Sequence, residues 1–240
     1  VLAHRGLALE APENTLLAFA KAIALGVTHV ETDVHGSADG VSMISHDPDL
    51  SRLAGRQVRV EQLTSHELRR VALGEGQGFC SLAEALDAFP ETRFNIDIKS
   101  ASAIEPTVAA IRDAGATDRV LIGSFSPERR LAVVRQLPGV ATSVSARGAV
   151  AAVSAARSPG GVRTLRRILR DVDAVQLPLS VLRMATITPR TVAAFHAAGV
   201  EVHVWTINDE PTMQRLLDLG VDGLVTDRAD LALGVLRARS

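Results

Sequence analysis

The sequence predicts one (β/α)8 (TIM) barrel spanning residues 1–240, with a small insertion after the second strand. Three observations lead there. Short apolar runs alternate with helical stretches, the order expected of parallel strands joined by helical crossovers. The alternation supplies eight strands within 240 residues, the size of a closed barrel. A doubly wound open sheet is the alternative, but no glycine-rich nucleotide fingerprint follows the first strand.

Val1-Leu2-Ala3 is a short apolar run and reads as the first strand. Residues 13–25 are rich in alanine and leucine at helical spacing, and Gly26 stops them. His29-Val30-Glu31-Thr32-Asp33-Val34 alternates like a strand. Further strands are expected at 94–98, 120–123, 140–144, 173–177, 201–205 and 223–226. Helices are expected at 81–89, 104–114, 127–136, 149–170, 189–198, 211–219 and 228–238. Gly115, Gly199 and Gly220 each sit just past a helix, where a left-handed cap is expected. Residues 36–80 break the rhythm with the turn signal Asp39-Gly40 and a strand-like return from Val41 to Ser45. This segment is the insertion, expected above the barrel mouth and carrying His46.

Bulk composition narrows the function. The chain is 47% hydrophobic, enough for a sizeable core. A net charge of -1 gives no global attraction to nucleic acid or anionic membrane. Aromatic content is 3% with no tyrosine, which disfavours base-stacking platforms. Cys80 is the only cysteine, so neither an internal disulfide nor a multi-cysteine metal site is available. No apolar stretch is long enough to span a bilayer, so no stable membrane insertion is expected. No signal peptide is visible and a cytoplasmic protein is expected; the chain opens at Val1 directly in a strand, which leaves an export signal upstream open. Oligomeric state is not specified by these features.

Chemically reactive residues gather at strand ends. His4 and Arg5 end strand 1, and Glu31 and Asp33 occupy the last part of strand 2. Asp97 and Lys99 end strand 3, Ser124 ends strand 4, Trp205 ends strand 7 and Asp227 follows strand 8. In a barrel these positions meet at the C-terminal face, where barrel enzymes build their sites.

Glu31 and Asp33 are two apart on a strand, so both point the same way. Asp97 brings a third carboxylate from the neighbouring strand. Three crowded anions repel unless a cation lies between them. Oxygen ligands alone favour one hard divalent ion, Mg2+ or Ca2+, with Mn2+ also fitting. The competing reading is a buried ionic network in which Arg5 and Lys99 pair with these carboxylates. Lys99 is one of only two lysines against 24 arginines. Its compact charge suits a phosphate oxygen crowded by a metal; the alternative is a simple partner for Asp97.

His4 and His46 are the acid–base candidates, because imidazole can take and give a proton near neutrality. Cleaving a phosphodiester needs one group to activate a nucleophile and another to protonate the departing alkoxide, while cations offset charge on the other oxygens. Metal ligation by the same two histidines is the competing reading. Asp47 is expected to orient His46 or cap a turn. His35 is expected in a loop, His29 low on its strand, His203 in the barrel interior, and His66 and His196 on ordinary helix surfaces. Trp205 offers an apolar wall for a glycerol backbone, or plain core packing.

The series His4-Arg5-Gly6, Pro12-Glu13-Asn14-Thr15, Glu31-x-Asp33-Val34, Asp39-Gly40 and His46-Asp47 resembles the glycerophosphodiester phosphodiesterase family. Asn95-Ile96-Asp97-Ile98-Lys99, Ser124-Phe125-Ser126-Pro127, Val204-Trp205-Thr206-Ile207-Asn208 and Asp222-Gly223-Leu224-Val225-Thr226-Asp227 extend the likeness over nearly the whole chain. The resemblance implies a (β/α)8 barrel that hydrolyses a small-molecule glycerophosphodiester to glycerol 3-phosphate and an alcohol. It implies His4 and His46 as the acid–base pair, Glu31, Asp33 and Asp97 as holders of the divalent metal, and Arg5 and Lys99 on phosphate. It also implies that the substrate's glycerol 2-hydroxyl attacks first, giving a cyclic phosphate that water opens. One departure stands out: the family usually has Glu where this chain has Asp97, whose carboxylate reaches about 1 Å less far. A lysophospholipase D-like phosphodiesterase and a non-catalytic phosphoglycerol-binding barrel are the alternatives, and an intact histidine pair speaks against the second.

Overall fold

The computed structural model describes residues 1–181 and 184–239. Its barrel strands are β1 (Leu2–His4), β2 (His29–Gly36), β3 (Arg93–Ile98), β4 (Val120–Gly123), β5 (Ala141–Thr142), β6 (Ala174–Leu177), β7 (Glu201–Val204) and β8 (Gly223–Thr226). They pair in parallel in the order β5-β4-β3-β2-β1-β8-β7-β6. A bridge between Ser143 and Ala174 draws the two ends together. The Val144 N–H donates to the Ala174 carbonyl at 3.0 Å, and the Thr142 N–H to the Asp173 carboxylate at 2.7 Å. The result is a nearly closed (β/α)8 barrel.

The connecting helices are α1 (Leu16–Ala24), α2 (Leu82–Ala88), α3 (Ile104–Asp113), α4 (Pro127–Val134), α5 (Ala146–Arg157), α6 (Val162–Ile168), α7 (Pro189–Ala198), α8 (Glu210–Asp218) and α9 (Ala229–Arg237). Several start on side-chain caps that satisfy free backbone N–H groups, among them Thr15, Ser81, Ser126, Thr188 and Asp209.

The two-residue period of a strand divides labour on β2 and β3. Val30, Val34, Phe94, Ile96 and Ile98 pack with helix residues such as Phe19, Leu82 and Leu86 in one apolar cluster. Phe19 is fully buried and meets Phe94 edge-on at 5.9 Å between ring centroids. The alternate residues, Glu31, Asp33, Asn95 and Asp97, line the barrel cavity instead. Strand register aligns them: Glu31 lies beside His4 and Asn95, and Asp33 beside Asp97.

Residues 36–80 build a small structure of their own after β2. A strand at Ser42–Ile44 returns antiparallel along the end of β2. Met43, Leu50, Val60, Leu68, Val71 and Phe79 form a separate apolar cluster there. Asp39 ties its turn down, accepting hydrogen bonds from the Ser37 hydroxyl and from the Ser65 N–H and hydroxyl.

Three local expectations change. The helix expected over 149–170 is two helices, α5 and α6, separated at Ser158-Pro159-Gly160-Gly161. Pro159 cannot continue the α5 ladder, Gly160 adopts φ +69°, and a Cβ on Gly161 would lie 1.8 Å from the Ala155 carbonyl oxygen. The fifth strand shrinks to Ala141–Thr142. His35 is not in a loop: it belongs to β2 and is buried, with its Nε2 3.3 Å from the His46 carbonyl oxygen. Among the described residues, no helix is long and apolar enough to cross a membrane.

Truncating Phe19 should show how much the layer behind β2 and β3 contributes. Phe19→Ala is expected to lower unfolding free energy by about 3–5 kcal/mol, measured by urea denaturation.

Candidate active site

Gly6 lets the chain after β1 turn sharply. It adopts φ +83°, and a Cβ there would approach the Ala18 backbone to 2.7 Å. Arg5, just before it, takes a left-handed φ of 58°, which costs a non-glycine residue about 1–2 kcal/mol. The turn is held by backbone: the Arg5 N–H donates to the Glu31 carbonyl at 2.9 Å, and the Asn14 N–H donates to the Arg5 carbonyl at 2.9 Å. It leaves the Arg5 Nε 3.5 Å from Asp33 Oδ2, while Nη1 donates to Glu13 at 2.9 Å.

The carboxylates Glu31, Asp33 and Asp97 share one cavity of about 390 Å³ with His4, His46, Arg5, Lys99 and Trp205. All eight residues singled out from the sequence therefore border the same space. Lys99 Nζ sits 2.8 Å from Asp33 Oδ1 and 2.7 Å from Asp97 Oδ2. Burial pushes the Asp33 carboxyl up, but the Lys99 and Arg5 charges outweigh it and hold it below the usual range. Burial likewise disfavours the Lys99 ammonium, and Asp33 and Asp97 overcome that, raising its pKa.

Glu31 has no such partner. Burial first, then the charges of Asp33 and Asp97, push its carboxyl well above the usual 4.5. Its Oε2 accepts from the Arg5 N–H at 3.3 Å and lies 3.9 Å from the His4 imidazole Nε2. Asp97 Oδ1 and Arg5 Nε are buried without a hydrogen-bond partner.

Each acid–base candidate rests on a carboxylate. His4 Nδ1 lies 2.6 Å from Asp227 Oδ1, and His46 Nδ1 lies 2.7 Å from Asp47 Oδ1. Such contacts orient the ring and select its tautomer. The hydrogen bond from His4 keeps the Asp227 carboxyl below its usual pKa against the cost of burial, with help from Asn208. Burial also raises Asp47, and hydrogen bonds from His46 and Arg52 reverse the shift.

Four contributors were not assigned roles from sequence. Asn14, buried and left-handed at φ 56°, donates to Asp33 Oδ2 at 3.0 Å and accepts from the Thr32 hydroxyl at 2.8 Å. Asn208 donates to Asp227 Oδ2 at 2.7 Å. Arg52 contacts Asp47 and Glu13. Phe125 stands edge-on to Trp205 at 6.1 Å, with Lys99 Nζ 5.9 Å from its ring centroid. Asn14, Asn208 and Phe125 were visible as members of motifs; nothing local in the sequence singles out Arg52. The remaining histidines do not line the cavity: His35 meets the His46 carbonyl from behind, His203 lies in the barrel interior beside Gln176, and His196 pairs with Asp222.

A barrel that gathers two carboxylate-backed imidazoles, three carboxylates and two cations at one mouth has the parts of a phosphoryl-transfer hydrolase. Residues 4–231 match the glycerophosphoryl diester phosphodiesterase family. The chain is 45% identical over 239 residues to a probable glycerophosphodiester phosphodiesterase 2 of Mycobacterium tuberculosis, covering 99% of this chain and 90% of that protein. It superposes with TM-score 0.81 and 25% identity on a phosphodiesterase from Oleispira antarctica in complex with the product sn-glycerol-3-phosphate, covering 98% of this chain and 96% of that one. A lysophospholipase D from Mus musculus is 26% identical over 262 residues, covering 94% of this chain and 82% of that protein. The chain belongs to the glycerophosphoryl diester phosphodiesterase family and is an enzyme, a phosphoric diester hydrolase.

The raised Glu31 carboxyl has a consequence for stability. Its contribution is complete below the unfolded value near 4.5 and is lost as pH rises through the higher folded value. With a chelator present, raising the pH above the unfolded value near 4.5 should therefore lower the melting temperature of the wild type relative to that of Glu31→Gln. Parallel pH profiles for the two proteins would contradict the assignment.

Proposed function

We propose that this enzyme hydrolyses small-molecule glycerophosphodiesters to glycerol 3-phosphate and an alcohol, with His4 and His46 as the acid–base pair. The observation that carries the reading is the presence of two carboxylate-backed imidazoles on one cavity with Arg5 and Lys99. The family, the Mycobacterium relative and the product-bound Oleispira enzyme support the substrate class.

Metal dependence is part of the proposal. Among the described residues, no three His, Cys, Asp or Glu side chains already surround a common cation position, and Lys99 Nζ lies between Asp33 and Asp97. The donor chemistry nevertheless fits. Glu31 lacks a cationic side-chain hydrogen bond, and one oxygen of Asp97 is buried with no partner. A hard divalent cation, Mg2+, Ca2+ or Mn2+, would relieve both. Glu31, Asp33 and Asp97 are its proposed holders. When bound, it would supply positive charge for the oxygens of the phosphoryl group.

The chain's own residues divide the remaining work. Arg5 and Lys99 orient the phosphodiester. One histidine takes the proton of the glycerol 2-hydroxyl as that oxygen attacks phosphorus, and the other gives a proton to the departing alcohol. Water then opens the resulting cyclic phosphate with the roles reversed. Asp227 and Asp47 hold the two rings in position. Trp205 bounds the cavity with a flat apolar face suited to the glycerol carbons.

His46→Ala should bind glycerophosphocholine yet lose about 100- to 10,000-fold in kcat, followed as release of glycerol 3-phosphate. Chelation with EDTA should stop wild-type release and added Mg2+, Ca2+ or Mn2+ should restore it. Undiminished turnover in either experiment would remove that element of the mechanism.

One observation favours a second reading, action on lysophospholipids. The cavity wall opposite the carboxylates is apolar, including Val144, Val150, Leu177 and Val181. Phe125, Val150, Leu179 and Met184, on the segments after β4, β5 and β6, are large apolar residues left exposed. Val150→Asp should lower kcat/KM for monomeric lysophosphatidylcholine about tenfold relative to that for glycerophosphocholine, a difference of about 1.4 kcal/mol. An unchanged ratio would count against an acyl chain on this wall.

A further inference from the structure

His46 lies where regular pairing ends. The strand Ser42–Ile44 is held by β2, and the Ser45 N–H still donates to the Asp33 carbonyl at 2.9 Å. Beyond Ser45 the chain leaves β2 and crosses to the short helix Ser51–Ala54. The His46 side chain is 35% exposed, and its Nδ1 lies 2.7 Å from Asp47 Oδ1. The orientation of the imidazole therefore depends on what fixes Asp47.

Arg52 does so. Its Nε donates to Asp47 Oδ2 at 2.5 Å, while Nη1 and Nη2 donate to the two oxygens of Glu13 at 3.0 and 2.6 Å. Glu13 belongs to the segment between β1 and α1 and also accepts from Arg5 Nη1 at 2.9 Å. A continuous line of contacts runs His46–Asp47–Arg52–Glu13–Arg5, with charge alternating from Asp47 to Arg5. The line crosses from the insertion to the loop that follows β1. A planar guanidinium can hold two carboxylates in a set geometry in a way an ammonium cannot. Arg52 is 47% exposed, and ion pairs at such exposure add little to stability. Its three hydrogen bonds serve geometry.

We infer that Arg52 is the positioning residue for His46, clamping the insertion to the barrel through Asp47 and Glu13 so that the imidazole faces the phosphodiester. The inference rests on the acid–base role given to His46, and its test separates the two.

Glycerophosphocholine turnover with added divalent metal would be measured for Arg52→Met, Arg52→Lys, Asp47→Asn and the double variant Asp47→Asn with Arg52→Met. Arg52→Met should lower kcat about 10- to 100-fold, with KM within about twofold and a nearly unchanged melting temperature. Arg52→Lys should recover only part of the loss. The double variant should fall no further than the worse single one, because both act through one ring. As a readout independent of turnover, the His46 ring signals in 15N-histidine-labelled protein should shift in Arg52→Met. They should stay in place in Arg59→Met, whose arginine pairs with Glu61 elsewhere in the insertion. Wild-type kcat in Arg52→Met, multiplying losses in the double variant, or unmoved His46 signals would each overturn the inference. Normal turnover in His46→Ala would instead overturn the acid–base role, while the ring signals would still report whether Arg52 holds the imidazole.

Discussion

The site depends on how three carboxylates are kept together inside a barrel. Strand register puts Asp33 beside Asp97 and sets Glu31 one step below. Side-chain alternation then turns all three into the same cavity. Burying like charges at such range is costly unless opposite charge compensates. Lys99 answers two of the three, Arg5 adds a longer contact with Asp33, and Asn14 donates to the same carboxylate. The third carboxylate, Glu31, is left with a strong preference for its proton. In the proposed metal-dependent reading, a divalent cation would answer this imbalance.

The same constraint explains why polar support radiates outward. A compensated carboxylate needs its partners held still, and those partners come from neighbouring loops. The turn at Arg5-Gly6 accepts a strained backbone to place a guanidinium by Asp33. Asn14 returns from the start of α1 to brace the same residue. Both imidazoles are fixed from behind by Asp227 and Asp47. Asn208 then holds Asp227, and Arg52 holds Asp47. Asn14, Asp47, Asn208 and Arg52 do not line the cavity but hold the residues that do, directly or through one partner.

The cavity has two unlike walls. Strands β1 to β3 supply the charged side. The segments after β4, β5 and β6 supply apolar surface, crossed at its edge by the Phe125–Trp205 pair. A phosphodiester has the same division, with an anionic centre and carbon-rich substituents. The charged wall suits such an anionic centre, and the apolar wall such carbon-rich substituents.

Much of this was legible from local pattern. Strand alternation is a property of neighbouring residues, so β2 and the shared face of Glu31 and Asp33 could be read directly. The eightfold rhythm then placed His4, Asp97, Lys99, Trp205 and Asp227 at one rim, because a barrel leaves its strand ends no other place to meet. The break between α5 and α6 was also written in Pro159-Gly160, although the apolar periodicity on either side concealed it. Short-range pairs such as His46 with Asp47 and Lys99 with Asp97 were open to sequence, but tertiary structure alone decided which distant charges touch. Arg52 is 39 residues from Glu13, and Asp227 is 223 residues from His4. Contacts at that separation depend on loop paths and side-chain rotamers after the barrel has closed. Hydrophobic periodicity is blind to both, since it records which face a residue takes and never which distant partner it finds there.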